Sequence, residues 1–295
     1  MRRGGRHVIR IDAHHHIWEL GRRPHAWLDG VGMATIRRDF TLADLAPLTA
    51  AAGIDKTILV QVLPSSAETA EFLALAGEPG PVAGVVGWAD LTSGRLPQAL
   101  DTLRSGPGGA YLVGIRHLVQ GEQDPRWLGR PDVRRGLRTV ADAGLVYDLL
   151  TLPHQLPAAI ETAQALPGLR FVLDHLSKPP IAAGELHSWA ALVRELAALP
   201  NVSCKLSGMV TEAGPHWTVA GLRPYAEVVL DAFGPARVMF GSDWPVCLLT
   251  ASYADVTSAA RELTAALTRQ EQALVFGGTA ARIYGLPDAG RRQSA

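Results

Sequence analysis

Hydrophobic positions along the chain fall into two alternating kinds of segment. Short β-branched runs are nearly continuously apolar: VIRIDA from Val8, TILVQVL from Thr57, VAGVVGWAD from Val82, YLVGIRHL from Tyr111, LVYDLL from Leu145, LRFVLDH from Leu169, VSCKLSG from Val202 and RVMFGSD from Arg237. Between them lie alanine- and leucine-rich stretches with helical spacing, among them LADLAPLTAAAG, SAETAEFLALAG, VRRGLRTVADAG and SWAALVRELAALP, several closing on Gly or Pro.

Strand alternating with helix implies parallel pairing through right-handed crossovers, and strands covered on both faces read as unbroken apolar runs. Eight such units predict an α/β fold, a closed (β/α)8 TIM barrel. An open doubly wound sheet is the structural rival, but AHHHIWELGRRP, the first strand-to-helix turn, carries no GxGxxG, and no GxxxxGK[ST] occurs in the chain. No linker-like composition shift divides the sequence, so one domain over 8–286 is expected, with flexible termini at 1–7 and 287–295. The stretch from Trp18 to Phe40 is long for a strand-to-helix connection and predicts a lid or wall over the barrel mouth.

Composition narrows the partners. The 295 residues are 47% hydrophobic and 19% charged with zero formal net charge, so no long-range field favours nucleic acid or an anionic membrane. No segment is long and apolar enough to cross a bilayer, and MRRGGRH does not lead into a secretory signal. Cys204 and Cys247 form no CxxC pair and read as buried thiols, which fits a cytoplasmic protein. A small-molecule substrate is expected, with homo-oligomerisation left open.

The candidate chemistry gathers at strand ends. In IDAHHHIWEL, strand alternation sends His14 and His16 to one face and His15 to the other. The sixth run ends in Asp174 and His175, the eighth in Asp243. In a barrel all of these reach the C-terminal face where active sites form. Imidazoles with a carboxylate suit Zn²⁺ or a similar divalent ion, and the carboxylate can instead take a proton from water. Arg116 and Lys205 bring fixed positive charge to the fourth and seventh strands, either to bind substrate oxygens or to pair with Asp174, Glu122 or Asp148. His154 and Glu122, in loops after strands five and four, are candidate substrate contacts or ordinary polar loop residues. Trp18, Trp88, Trp127 and Trp244 lie near strand ends, where an indole either packs or stacks on a sugar ring.

These blocks together resemble the amidohydrolase-related (amidohydrolase 2) family, and within it the sugar-lactonase branch typified by L-fuconolactonase. IDAHHHIW is similar to the family's DxHxHxW opening, GIRHLVQGEQDPRWL to its fourth-strand block, FVLDHLSKPPI to its sixth, NVSCKLSG to its seventh, FGSDWPV to its eighth and FGGTAARIYGL to its closing helix. The resemblance implies that His14, His16, His175 and Asp243 form the catalytic centre, either around a divalent metal, Zn²⁺ first, or without one, the imidazoles polarising the carbonyl. The expected substrate-binding residues are Arg116, Lys205, His154, Glu122 and Trp18. His15 departs from the pattern, where Gln or another residue is expected between the two histidines.

The expected activity is hydrolysis of a sugar (aldono) lactone to the sugar acid, a carboxylic-ester hydrolase reaction with water activated by Asp243. The alternatives are a metal-dependent decarboxylase or amide hydrolase on the same scaffold, or a non-catalytic barrel that binds a sugar or acid.

Overall fold

The computed structural model describes residues 9–286; the expected flexible stretches 1–7 and 287–295, and Val8, lie outside them. Among the described residues eight parallel strands form one sheet in the order β1 to β8: β1 (Ile11–His15), β2 (Lys56–Val60), β3 (Val82–Gly87), β4 (Leu112–His117), β5 (Val146–Leu149), β6 (Arg170–Leu173), β7 (Val202–Leu206) and β8 (Val238–Phe240). The sheet closes on itself just beyond the strands, where His15 and Trp244 form a parallel bridge. There Asp243 N donates to His14 O at 2.8 Å and His16 N to Trp244 O at 2.7 Å. The barrel expected from eight alternating units is the one observed.

The helices that follow the strands are α1 (Leu42–Ala52), α2 (Ser66–Gly77), α3 (Leu96–Ser105), α4 (Pro131–Asp142), α5 (Leu156–Ala165), α6 (His187–Ala197), the short α7 (Met209–Ala213), α8 (Val219–Phe233), α9 (Tyr253–Leu263), α10 (Arg269–Ala273) and α11 (Thr279–Ile283). Local chemistry fixes several starts: Thr41 with Asp44, and Ser252 with Asp255, form reciprocal capping boxes at α1 and α9.

Side chains alternate along each strand between two cores. Ile11, Ala13, Ile58, Val60, Val86, Val146, Val172 and Met239 fill the barrel interior together with Ile283 and Tyr284, and a larger cluster packs strands against helices. Both faces being buried explains why the strands lack polar alternation. Gly277 lies close against the Ile9 carbonyl, so the C-terminal segment covers the end of the barrel where strands begin. Chemistry is left to the other end.

Candidate active site

At that other end, β1 presents His14 and then His16, one on each side of the outward His15. His15 Nε2 is instead 2.9 Å from Thr57 Oγ1, so the pleat separates the three imidazoles as expected. The β6 chain turns sharply after Leu173. His175, Leu176, Ser177 and Lys178 all adopt the left-handed region, with φ of 51°, 56°, 58° and 50°, a conformation costing about 1–2 kcal/mol for each non-glycine residue. Neighbours hold the turn: His175 Nδ1 is 2.9 Å from Ser207 Oγ, Trp189 Nε1 donates to Leu176 O at 2.7 Å, and the Ser177 and Thr151 hydroxyls meet at 2.8 Å. Gly208, at φ +69°, leaves the room the His175 ring fills, since a Cβ there would sit 2.7 Å from His175 Nδ1. Gly241 likewise makes way for His14, whose Cβ would lie 2.7 Å from an added methyl. Asp243 also has positive φ, 56°. Strain of this kind gathers where geometry is over-determined by its surroundings.

These turns bring the four residues together. Asp243 Oδ1 lies 3.7 Å from His14 Nε2, 3.5 Å from His16 Nε2 and 3.8 Å from His175 Nε2. His14 and His16 meet Nε2 to Nε2 at 3.1 Å. Burial pushes two of the imidazoles toward neutrality: it lowers His175 to about 4, and it lowers His14 well below its ordinary value, aided by the Lys205 charge. Burial would raise Asp243, but the adjoining His175, His16 and His14 outweigh it and hold the carboxyl well below its ordinary range. At neutral pH the Asp243 carboxylate therefore has two uncharged rings, His14 and His175, beside it.

Hydrogen-bond partners fix the tautomers. His16 Nδ1 is 2.8 Å from Val60 O, and a carbonyl only accepts, so the proton is on Nδ1 and Nε2 has a free lone pair. Lys205 Nζ, a donor only, is 3.1 Å from His14 Nδ1, which places the His14 proton on Nε2, aimed at His16 Nε2. A chain of donors thus runs from Lys205 through His14 and His16 to the Val60 carbonyl.

Beneath His14 lies a second charged set. Lys205 Nζ is 2.5 Å from Asp148 Oδ2 and 2.9 Å from Asp174 Oδ1, and Arg116 NH1 is 2.9 Å from Asp174 Oδ2. Tyr284 OH, reaching up from the C-terminal segment, donates to Asp148 Oδ2 at 2.9 Å. Burial raises the Asp148 carboxyl to about 6 against the pull of Lys205. Asp174 goes the other way: Lys205, His14 and Arg116 together overcome burial and hold it low.

The cavity above, about 330 Å³, is lined by His16, Arg116, His175 and Asp243, with Trp18, Trp27 and Met33 from the 18–40 segment forming one wall. A second cavity of about 310 Å³ lies on the far side of Trp18, where Arg23 pairs with Glu71 and Glu68 accepts from the Val62 and Leu63 amides; none of the clustered site residues lines it.

Three expected substrate contacts are not placed at the cavity. Lys205 is fully buried among Asp148, Asp174 and His14, because its position on β7 is a layer deeper than the strand end. His154 is exposed in the loop after β5 and does not line the cavity. Glu122 is 2.7 Å from His117 Nε2, whose ring stacks on Trp127 at 4.3 Å, so it caps a packed histidine. Arg116 and Trp18 do reach the cavity wall. Sequence reasoning missed Gln61, which accepts Arg116 through both its side-chain and main-chain oxygens, and Tyr284; both lie inside quoted stretches, TILVQVL and FGGTAARIYGL, but neither carries a charge that would single it out.

The donor set also fits a divalent ion. Tetrahedral bonds of about 2.0–2.1 Å to nitrogen separate ligands by roughly 3.3 Å, close to the 3.1–3.7 Å spacings among His14, His16 and Asp243; His175 Nε2 lies 3.8 Å from Asp243 Oδ1 but stands outside that compact set. His14 Nε2 can ligate once its proton moves to Nδ1, and a carboxylate is in place to accept it. Asp174 Oδ1 lies 3.4 Å from His14 Nδ1, and although close to Lys205 it has no aligned hydrogen bond.

The sequence model of the amidohydrolase family matches residues 11–286. The chain belongs to the amidohydrolase family. This amidohydrolase is 40% identical to an L-fucono-1,5-lactonase of Burkholderia multivorans, over 95% of this chain and 97% of that one. It is 39% identical to an L-fucono-1,5-lactonase of Burkholderia ambifaria, over 94% and 96% respectively. Among solved structures, a zinc-bound amidohydrolase from Burkholderia multivorans superposes with a TM-score of 0.88 at 40% identity, covering 95% of this chain and all of that one. A 2,6-dihydroxybenzoate decarboxylase, at 14% identity and a TM-score of 0.62 over 94% of this chain and 98% of its own, shares the amidohydrolase fold alone.

Proposed function

We propose that the chain hydrolyses a sugar lactone of the L-fucono-1,5-lactone kind to its sugar acid. The observation that carries this reading is the Asp243 carboxyl at the wall of a cavity, with ring nitrogens of His14, His16 and His175 3.5–3.8 Å from its Oδ1. Names borne by the two relatives at about 40% identity over nearly their whole length point the same way.

In this reading Asp243 takes a proton from water, and the resulting hydroxide oxygen attacks the lactone carbonyl carbon. His175 and the Arg116 guanidinium, both at the cavity wall, stabilise the oxyanion that forms, and His14 stands behind them with its Nε2 3.4 Å from Arg116. As the carbonyl re-forms, the bond to the ring oxygen breaks and Asp243 returns its proton there. Lys205 orients His14 from below and does not touch substrate. A divalent ion, Zn²⁺ first, held by His14, His16, His175 and Asp243, would supply Lewis-acid polarisation and a more acidic water at the same place. Two free, buried cysteines accord with a reducing, cytoplasmic setting.

The test is a panel of sugar lactones and aromatic carboxylates in weak buffer with a pH indicator, with and without chelator. Lactone opening releases a proton and decarboxylation consumes one. Proton release with L-fucono-1,5-lactone is expected; proton uptake from a carboxylate, with every lactone inert, overturns the proposal.

A further inference from the structure

The aliphatic part of the cavity wall, which includes Leu63, Leu118, Leu150 and Leu249, offers nothing to a hydroxyl group. Most of its polar lining groups are already engaged inside the protein. His16 Nδ1 is held by Val60 O, His175 Nδ1 by Ser207, Arg116 by Gln61 and Asp174, Trp18 Nε1 by Arg38 O, and Lys178 Nζ lies 3.4 Å from Glu212 Oε1. Two lining residues differ. Gln120 Oε1 and Thr211 Oγ1 are shut off from water and have no hydrogen-bond partner.

Their backbones are anchored, so the vacancy is a property of the side chains. Gln120 sits in the turn Val119–Gly121 after β4, where its N–H donates to Leu150 O at 3.0 Å. Thr211 lies within α7, three strands further round the barrel. The last torsion of a glutamine is soft and nearly two-fold, so Gln120 can offer either carbonyl or NH2, and a threonine hydroxyl both donates and accepts. A sugar hydroxyl needs that pairing of roles.

Building on the lactonase reading, we infer that Gln120 and Thr211 are specificity-determining residues that recognise ring hydroxyls and select a polyhydroxylated lactone over an unsubstituted one. Sites made to hydrogen-bond a hydroxyl discriminate against analogues lacking it, because their polar groups are then left unpaired.

The experiment compares kcat/KM for L-fucono-1,5-lactone and for δ-valerolactone, which has the same ring size and no hydroxyls, in the wild type and in the near-isosteric variants Gln120→Met and Thr211→Val. The ratio of the two values is expected to fall about tenfold in each variant, mainly through a higher KM for the hydroxylated lactone. A ratio equal to that of the wild type, whether or not both rates drop together, overturns the inference and leaves lactone hydrolysis standing. A wild type that opens neither lactone removes the lactonase reading and this inference with it.

Discussion

Two charged layers lie one on the other in this barrel, and they differ in balance. The lower layer sets Lys205 and Arg116 against Asp148 and Asp174, positive against negative one for one, with the Tyr284 hydroxyl also donating to Asp148. The upper layer sets a single carboxylate, Asp243, beside three imidazoles, of which burial keeps His14 and His175 neutral. A layer that cancels its own charge has little left to offer a ligand, whereas an uncompensated carboxylate facing a cavity attracts a proton or a cation. Residue type alone does not separate the two, because each layer is built from charged and titratable strand residues. Height along the strand does, and His14 is the residue both layers share.

The comparison breaks first at Asp243. Asp243→Asn removes the upper layer's carboxylate while keeping its volume, so kcat is expected to fall by roughly 10³-fold, within the span for loss of a general base. No buried charge is left unpaired by that change, so thermal unfolding stays within a few degrees of the wild type. Substantial lactonase activity in the variant would reject the assigned base.

In the lower layer the expected damage is to stability. Lys205→Met strips the cation from Asp148 and Asp174 at once, and breaking a buried pair from one side costs about 3–5 kcal/mol. Adding Asp148→Asn removes one of the stranded carboxylates and is expected to recover part of that loss. Denaturant midpoints of the single and double variants measure it; equal midpoints for Lys205→Met and the wild type would mean that water or the cavity, and not Lys205, satisfies these carboxylates.

This layering marks the limit of what the sequence discloses. Apolar runs separated by helical stretches specify the barrel, because a strand covered on both faces cannot alternate. His14, His16, His175 and Asp243 are legible because each lies at the end of such a run, where side chains emerge at the barrel mouth. Lys205 looks equivalent in CKLSG, yet Asp148, Asp174, His14 and the Tyr284 ring close around its ammonium. Those partners come from other strands and from the C-terminal segment, so CKLSG alone does not disclose the enclosure. His154 and Glu122 belong to loops whose course depends on packing around Trp127 and His117. Tyr284 arrives from a segment nearly 80 residues beyond β7, a contact that only closure of the barrel creates.

The smallest effect tests a histidine that belongs to neither layer. His15 is fully buried, its Nδ1 has no partner, and burial lowers it to about 3. The unfolded chain therefore binds a proton at His15 from about pH 6.5 downward while the folded chain refuses it until about pH 3. His15 thus contributes full stability above pH 6.5 and loses it as pH falls, by about 1.4 kcal/mol per pH unit. In His15→Gln the amide can still meet Thr57 and does not titrate. Between pH 6.5 and pH 5 the variant should gain about 2 kcal/mol relative to the wild type, read as the change in their difference in unfolding free energy at the two pH values. A difference that stays constant would mean that His15 is protonated in the folded barrel, and the neutral-imidazole account of β1, His14 included, would then have to be given up.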